Sequence, residues 1–420
     1  MSDIGVFIGP DSEPTQVGTL RVRVVRGVER IGFEYTPEWL NSPDRFALEP
    51  TLALRPGPIY PEKGKGLFNA FSDAAPDRWG RYLVARREKQ QAHAESRKPR
   101  ELFQSDYLLG IHDSVRMGAL RFARLDNAGE RGPFLAEDQQ AIPPSIELRR
   151  LQSAAMRVDA HQETDDDLNL VFAPGSSLGG ARPKAVVVDP DGKQFVAKFE
   201  RDQDPYRVIA WEATTLSLAQ NAGINVPEFY LKSIDERSVL MMERFDRDGQ
   251  HRIPFMSALT LTQRSDGDQA SYIDIAEGII QSGARADYDL AQLWRRMVFN
   301  VIVSNTDDHL RNHGLLHHDT GWMLSPAYDM NPTPSDQGPR VLTLALDERE
   351  DRSADLNLAL SVADIFGIEG DEAKAIVADV GQAVADWETV AARHGIPPTQ
   401  RHYMSSAFEH RGLEKALEMI

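Results

Sequence analysis

One amphipathic helix late in the chain constrains the fold more than any other feature of the sequence. Between Leu290 and Ile302, apolar side chains recur at intervals of three and four residues, the period of an α-helix that buries one face. These positions are Leu290, Leu293, Trp294, Met297, Val298, Val301 and Ile302. So wide an apolar face needs neighbours to cover it, so the segment predicts the core helix of a mainly helical C-terminal half.

Short strands dominate the segment before this helix. The apolar runs at 185–188 and 195–198 flank an Asp-Pro-Asp-Gly turn, which predicts a β-hairpin. A glycine-rich turn at 175–180 precedes it. A helix over 208–221, stopped by a glycine, and a buried strand over 239–242 follow. This order predicts a small β-rich lobe, a larger helical lobe and a cleft between them.

The first third of the chain shows the two-residue alternation of β-strands. Residues 20–24 and 31–35 alternate apolar and polar side chains on either side of a glycine turn, which predicts a hairpin with one buried face. Residues 125–165 are rich in Gly, Pro and acidic residues, and we interpret them as a linker zone. The 420 residues suit two or three domains, and the predicted fold class is α+β.

Composition excludes several classes of function. The chain has no Cys, which excludes disulfides, thiolate nucleophiles and Cys-ligated zinc. Its 47 basic and 64 acidic residues give a net charge of −17, which disfavours direct nucleic-acid binding. No secretory signal and no apolar run long enough for a membrane helix are visible. We therefore expect a cytoplasmic protein that does not engage a membrane.

The most specific polar motif, Asn-Thr-Asp-Asp-His-Leu-Arg-Asn at 305–312, follows the amphipathic helix directly. Asp307 and Asn312 have the Asp-x-x-x-x-Asn spacing of a kinase catalytic loop. There, a carboxylate orients and deprotonates an acceptor hydroxyl, and an amide oxygen binds Mg²⁺. A second carboxylate should follow a short hairpin, and Asp329 is its candidate, so that Asp307, Asn312 and Asp329 together predict an oxygen-ligand Mg²⁺ site. The alternative is that Asp307 caps a helix and Asn312 sits in a turn. His309 is interpreted as a hydrogen-bonding loop residue.

Two further segments suit phosphate binding. Gly175 and Gly180 have the spacing of a Walker A loop, but Ala-Arg replaces the Lys-Ser/Thr that should follow, which disfavours a P-loop enzyme. An ordinary turn is the alternative. Lys198, in Phe-Val-Ala-Lys, is similar to the strand lysine of kinases, or else is a solvated side chain. Glu212 on the next helix could orient Lys198 or could be exposed.

The segment Met-Met-Glu-Arg-Phe-Asp-Arg at 241–247 lies where the chain passes between the predicted lobes. In a two-lobed kinase this connection meets the adenine edge, so Met242, Glu243 and Phe245 are candidates for that contact. The alternative is a mixed-charge loop with one buried Phe.

Together these motifs resemble the HipA family of bacterial serine/threonine kinases, the toxins of HipA/HipB-type toxin–antitoxin pairs. Pro-Asp-Arg-Trp-Gly at 76–80 and the N-terminal hairpin resemble that family's N-terminal region. The motifs that carry the resemblance lie at 176–184, 195–199, 243–247, 305–312 and 326–329. The family departs from this chain at Arg182-Pro183, where it often has Gln-Glu, and at Arg311, where it often has Lys.

The resemblance implies a role for each matched residue. It implies Asp307 as the catalytic base, with Asn312 and Asp329 as Mg²⁺ ligands. It also implies autophosphorylation of a loop serine at Ser177, with Ser176 as the alternative. The implied ATP-binding residues are Ser177, Gly179, Gly180, Lys184 and Lys198 near the phosphates and Glu243 and Phe245 near the adenine.

The implied protein is an ATP- and Mg²⁺-dependent serine/threonine kinase with a two-lobed, kinase-like α+β fold. Its implied target is a protein of the translation machinery, such as an aminoacyl-tRNA synthetase. Its implied partner is a HipB-like helix-turn-helix antitoxin, through which it would reach DNA only indirectly. Two alternatives stay open, a small-molecule phosphotransferase of aminoglycoside-kinase type and a catalytically silent co-repressor scaffold. The predicted domains are a HipA-type N-terminal subdomain (1–125), a β-rich nucleotide-binding lobe (126–245) and a helical catalytic lobe (246–420).

Overall fold

A computed structural model describes residues 3–10, 12–126, 128–135, 142–175, 180–337, 339–348 and 351–420. The strands are β1 (Ile4–Ile8), β2 (Thr15–Val25), β3 (Val28–Tyr35), β4 (Arg121–Leu125), β5 (Arg131–Phe134), β6 (Lys184–Val188), β7 (Gln194–Phe199), β8 (Phe229–Ile234), β9 (Arg237–Glu243), β10 (Arg247–Asp248), β11 (His251–Arg252), β12 (Phe255–Ser257), β13 (Gly314–His318) and β14 (Gly321–Leu324). The helices are α1 (Pro37–Asn41), α2 (Asn69–Asp73), α3 (Arg78–Ala94), α4 (Gln104–Leu109), α5 (Leu148–Asp159), α6 (Asp165–Gly175), α7 (Val208–Asn221), α8 (Ala258–Leu261), α9 (Tyr272–Ser282), α10 (Ala286–Ile302), α11 (Leu356–Ser361), α12 (Gly370–Ala385), α13 (Trp387–Arg393), α14 (Pro398–Phe408) and α15 (Arg411–Leu417).

The chain divides into two compact units. The N-terminal unit comprises Met1–Asp202 and Asp246–Met256, and the C-terminal unit comprises Gln203–Phe245 and Ser257–Ile420. Each unit therefore contains a segment that is separated in sequence from the rest of it. The division into three domains at residues 125 and 245 stays a prediction.

An antiparallel sheet with strand order β3-β2-β1-β4-β5 organises the start of the N-terminal unit. The predicted hairpin is confirmed as β2–β3, in which Leu20 is opposite Phe33. The Phe33 ring lies 5.3 Å from that of Phe71 on α2, which in turn lies 6.0 Å from that of Phe122 on β4. All three rings are buried, and their contacts pack α2 against one face of the sheet. Removing this aromatic surface from water stabilises the packing.

The predicted linker zone at 125–165 is wrong over most of its described length. It contains β5, the helix α5 and part of β4. Leu151, Ala154, Ala155 and Val158 recur at helical spacing on α5, and all four are fully buried. Arg and Gln lie between these apolar residues in the sequence, and Gly, Pro and acidic residues flank the helix. The segment therefore has the composition of a linker although it forms a buried helix.

The C-terminal unit is organised around α10. All seven apolar positions predicted for this helix are buried, and Leu293, Trp294 and Met297 have no exposed surface. The indole Nε1 of Trp294 donates a hydrogen bond to the carbonyl of Ala359 at 3.0 Å, which satisfies its one polar atom inside the core. The predicted core helix is therefore confirmed.

Other predicted elements are confirmed with small changes of boundary. The helix predicted over 208–221 is α7, and the buried strand predicted over 239–242 is the centre of β9. The hairpin predicted before Asp329 is β13–β14, and beyond residue 355 the described chain is helical. Within the described ranges, every helix is too short or too polar to span a bilayer.

Candidate functional site

The loop after α10 brings the two predicted catalytic-loop residues together. Ser304 has a left-handed φ of 56°, which turns the chain out of the helix. Asp307 follows in an exposed turn, and Asn312 ends a short 3₁₀ helix. The Nδ2 of Asn312 donates a hydrogen bond to the backbone carbonyl of Asp307 at 3.2 Å, although Asn312 is only 6% exposed. The five-residue spacing thus closes a compact loop with Asp307 at its surface.

The segment after β14 is tied to this loop. The Oη of Tyr328 donates a hydrogen bond to the carbonyl of Arg311 at 2.7 Å. The next residue, Asp329, has a left-handed φ of 59°. For a residue other than glycine, this conformation costs about 1–3 kcal/mol and is concentrated at functional sites. The residue before Asp329 therefore contacts the residue before Asn312.

The oxygen atoms of this region suit a hard divalent cation. Because Nδ2 of Asn312 is bound to the Asp307 carbonyl, its Oδ1 is the amide atom that can face a cation. Asp307 and Asp329 add carboxylates, and such oxygen ligands are those that Mg²⁺ prefers. Within the described part of the chain, no cluster of three or more His, Asp or Glu side chains is arranged to hold a metal ion. A magnesium site here would therefore need the Asn312 oxygen.

Asp308 is buried beside the exposed Asp307, with an exposed fraction of 3%. Its Oδ2 accepts a hydrogen bond from the Oη of Tyr272 and lies 2.8 Å from the Nε2 of His313. Burial acts to raise the pKa of Asp308, but the charge and hydrogen bond of His313 hold that pKa below its ordinary value. Burial and the Asp308 charge raise the pKa of Tyr272 well above its ordinary value, so the phenol keeps its proton and donates it.

The two predicted phosphate-binding lysines are a cross-strand pair in the N-terminal unit. Lys184 on β6 is directly opposite Lys198 on β7. Their exposed fractions are 7% and 5%, so neither is the solvated side chain that was the alternative for Lys198. Two ammonium groups on one face of a hairpin repel each other, and an anion between them would relieve that repulsion.

Gly180 is held next to Lys184. Its φ is +80°, and a Cβ placed on it would lie 2.6 Å from the Nζ of Lys184. Its N–H donates a hydrogen bond to the Oδ2 of Asp77 at 3.0 Å, and its carbonyl accepts one from the N–H of Trp79 at 3.1 Å. The Pro-Asp-Arg-Trp-Gly motif thus fixes the end of the glycine-rich turn.

The predictions about the glycine-rich turn and about Glu212 on α7 are only partly tested by the described residues. Ser177 and Gly179 lie outside the described residues, as does Ser176. Glu212 on α7 is 1% exposed, so the expectation that it could be a surface residue is wrong. Its role in orienting Lys198 stays a prediction.

Of the predicted adenine-side residues, Met242 is buried on β9, whereas Glu243 at its end and Phe245 just beyond it are half-buried. The N–H of Glu243 donates a hydrogen bond to the carbonyl of Glu228 at 2.8 Å. The Phe245 ring lies 5.4 Å from the ring of Tyr328. Phe245 therefore packs on the segment that leads into Asp329, and its contact with adenine stays a prediction.

The sequence analysis assigned no role to Asp246 and Arg247, the two residues that follow Phe245. Asp246 is 1% exposed and accepts a hydrogen bond from the N–H of Gly118 at 2.7 Å. The guanidinium of Arg247 donates to the carbonyls of Arg116 and Gly118 and to the Asp246 carboxylate. These residues join the 246–256 segment to the N-terminal unit. A sequence pattern offers no signal for such contacts, because the partners are about 130 residues away.

Two family models match the chain. The model of the HipA N-terminal domain matches residues 12–105, and that of the HipA-like C-terminal domain matches residues 176–387. The second match includes the loops that carry Asp307, Asn312 and Asp329.

Relatives of this chain bear kinase names. A putative kinase of Sinorhizobium fredii, Y4mE, is 32% identical over 331 residues, which cover 72% of each chain. The serine/threonine-protein kinase toxin HipA of Shewanella oneidensis is 23% identical over 54% of this chain and 59% of its own.

The fold has a counterpart among solved structures. It matches the HipA, HipB and operator DNA complex of Shewanella oneidensis MR-1 with a TM-score of 0.63, at 14% identity over 99% of this chain and 96% of the other. The predicted two-lobed, kinase-like α+β fold class is thereby confirmed. With two family models and a relative 32% identical in agreement, the chain belongs to the HipA family of kinases.

Proposed function

We propose that the chain is an ATP- and Mg²⁺-dependent protein serine/threonine kinase. One observation supports this most directly. Asp307 is exposed on a loop that Asn312 closes by its hydrogen bond to the Asp307 carbonyl, and the residue before Asp329 is hydrogen-bonded to the same loop. Phosphoryl transfer depends mainly on positioning and charge neutralisation. This loop carries the candidate base and one candidate oxygen ligand, and the Tyr328 hydrogen bond ties to it the segment that carries the other, Asp329.

The chemistry assigns each side chain a task. Asp307 accepts the proton of the acceptor hydroxyl as that oxygen forms its bond to the γ-phosphorus of ATP. The bond from the γ-phosphorus to the bridging oxygen breaks, and ADP leaves with the electron pair. Asn312 and Asp329 would hold Mg²⁺, which when bound neutralises phosphate charge. Lys184 and Lys198, opposite each other on their hairpin, suit the phosphate oxygens.

Regulation and partners form the finer part of the proposal. Autophosphorylation of Ser177 would add about −1.5 to −2 charges to a loop that must approach phosphate, which should expel the loop and switch the enzyme off. The relatives' names and the HipA–HipB–DNA complex support a HipB-like antitoxin as partner. With a net charge of −17, the chain would reach operator DNA only through that partner. We propose a protein of the translation machinery as target.

Incubation of the full chain with radiolabelled ATP and Mg²⁺ tests this proposal. We expect label on protein, including Ser177, and a loss of at least roughly 100-fold in Asp307→Asn and Asn312→Ala. Asp319→Asn is the matched control, because Asp319 lies in the exposed turn between β13 and β14. It should label like the parent chain.

The other outcomes identify the alternatives. Label transferred to a small metabolite and not to protein would indicate a small-molecule phosphotransferase. A chain that transfers no label, and whose effect on growth survives Asp307→Asn, would be a co-repressor scaffold.

A further inference from the structure

We propose that Tyr272, Asp308 and His313 form a buried positioning network that fixes the turn carrying Asp307. This inference rests on the proposed kinase activity and gives a role to three residues to which the sequence motifs assigned none. The three side chains do not touch the acceptor or nucleotide in this proposal. They act through the backbone of the loop, so they are positioning residues.

The centre of the network is the Asp308 carboxylate. Its Oδ2 accepts from Tyr272 and faces the Nε2 of His313 at 2.8 Å. Tyr272, Asp308 and His313 are 0%, 3% and 2% exposed. The Tyr272 and His313 rings also meet edge to face at 5.7 Å, so each ring holds the other's orientation.

Two asparagines extend the network to the start of the loop. The Nδ2 of Asn300 on α10 donates to the Oη of Tyr272 at 3.0 Å, and the Nδ2 of Asn305 donates to the Oδ1 of Asn300 at 3.1 Å. Asn305 precedes Asp307 by two residues, and His313 follows Asn312 directly. The hydrogen bonds therefore hold both ends of the segment that bears the base and a predicted metal ligand.

The network is anchored outside the loop. The N–H of Tyr272 donates to the carbonyl of Ala345 at 3.0 Å, and the carbonyl of His313 accepts from the N–H of Ala258 at 2.8 Å. The first residue of α8, Ala258, thus holds His313, and the backbone at Ala345 holds Tyr272, the first residue of α9. Backbone hydrogen bonds thus tie the network to segments outside the loop, which helps a base to stay aligned with its substrate.

A purely structural role is the competing explanation. A buried carboxylate is a costly way to stabilise a fold, because its loss of hydration offsets much of its attraction to its partners. A residue kept at that cost beside an exposed catalytic carboxylate is better explained by the geometry it imposes. The two explanations make different predictions for removal of the Tyr272 hydroxyl. A purely structural role predicts a lower melting temperature alone, whereas a positioning role also predicts a lower kcat.

Tyr272→Phe, compared with Tyr35→Phe, separates them. Tyr35 is also a buried tyrosine, 2% exposed, and its Oη donates to the Leu52 carbonyl at 2.9 Å and accepts from the Leu48 N–H at 3.2 Å. We expect Tyr272→Phe to lower kcat roughly 10- to 100-fold while the KM for ATP changes less than about threefold. Tyr35→Phe should keep the kcat of the parent chain, although its melting temperature should fall by about as much as that of Tyr272→Phe.

A second pair of variants guards against simple misfolding. His313→Gln keeps a side-chain N–H donor and should recover part of the kcat that His313→Leu loses. A change of kcat in Tyr272→Phe no larger than in Tyr35→Phe, with the parent chain active, would overturn the positioning role and leave the kinase proposal intact. A parent chain that neither transfers phosphate nor binds ATP with Mg²⁺ would overturn both.

Discussion

Lys184 and Lys198 are directly opposite each other on neighbouring antiparallel strands, and both are more than nine-tenths buried. Like charges in this relation destabilise a hairpin, and burial strengthens the effect because the interior screens charge poorly. Two cross-strand lysines share one face of the hairpin, so a single anion bound there could interact with both. If the proposed kinase activity holds, the phosphates of ATP would be that anion.

Replacing one member of this pair should therefore weaken nucleotide binding. We expect Lys198→Met to abolish most of the rise in melting temperature that ATP and Mg²⁺ produce relative to the nucleotide-free variant. Lys374→Met is the control, because Lys374 is exposed on α12. Thermal unfolding with and without nucleotide measures this rise, and an undiminished ATP shift in Lys198→Met would contradict the assignment.

A glycine pair tests the contact between the glycine-rich turn and Lys184. Gly180 and Gly192 have φ values of +80° and +86°, so alanine costs each a similar strain of about 1 kcal/mol. Only at Gly180 would the new Cβ meet the Nζ of Lys184. We expect Gly180→Ala to raise the KM for ATP several-fold and Gly192→Ala to leave it unchanged. Equal KM values in the two variants would show that the contact does not matter for nucleotide binding.

The contacts of Asp246 with the Gly118 N–H and with Arg247 should stabilise the folded protein. Asp246→Asn removes the charge that faces Arg247, whose side chain is only 6% exposed. Breaking a buried pair in this way should cost roughly 3 kcal/mol of unfolding free energy. Asp248→Asn is the control, since Asp248 is exposed two residues away. Denaturant unfolding of the full chain checks this, and equal midpoints for the two variants would show that these contacts are not stabilising.

His410 should make the protein sensitive to mild acid. Burial and the charge of Arg340 lower the pKa of His410 from 6.5 to about 4. Its Nδ1 accepts from the Gly412 N–H, so its Nε2 donates to the Ile302 carbonyl as a neutral ring. The unfolded chain binds this proton first, so stability falls as pH drops from 6.5 to 4, by roughly 2 kcal/mol after allowance for partial exposure.

Unfolding free energies measured across that pH range test the role of His410. His410→Gln should make the loss of stability on acidification shallower, because the proton uptake by the unfolded chain is removed. His402→Gln, at an exposed position on α14, should keep the slope of the parent chain. Identical slopes in His410→Gln and the parent would rule His410 out as a source of acid sensitivity.

Local pattern predicted the elements that carry the site. The apolar spacing of α10, the hairpin turn between β6 and β7 and the five residues from Asp307 to Asn312 each involve neighbours in sequence. Helix and strand periods reflect backbone geometry that a few residues determine, so these features are readable without the fold. The same reasoning failed over 125–165, where turn-forming residues hid the apolar face of α5.

The contacts that support the loop could not be predicted in this way. Tyr272 reaches Asp308 across 36 residues, and Asp246 reaches Gly118 across 128. A lone tyrosine or aspartate has no periodic signature, and its partner depends on how whole elements pack against one another.

The amino-acid sequence by itself determined the α+β class, the core helix and the identity of the candidate base, metal ligands and phosphate-binding lysines. The class, the helix and the Asp307 to Asn312 motif follow from short-range spacing, whereas the phosphate role of Lys184 is implied by the resemblance to the HipA family. Tertiary structure alone decided that Asp307 is exposed while Asp308 is buried, and that Lys184 is opposite Lys198. Both outcomes depend on strand register and on the packing of α8, α9 and α10, which arise from long-range burial of apolar surface and not from any local run of residues.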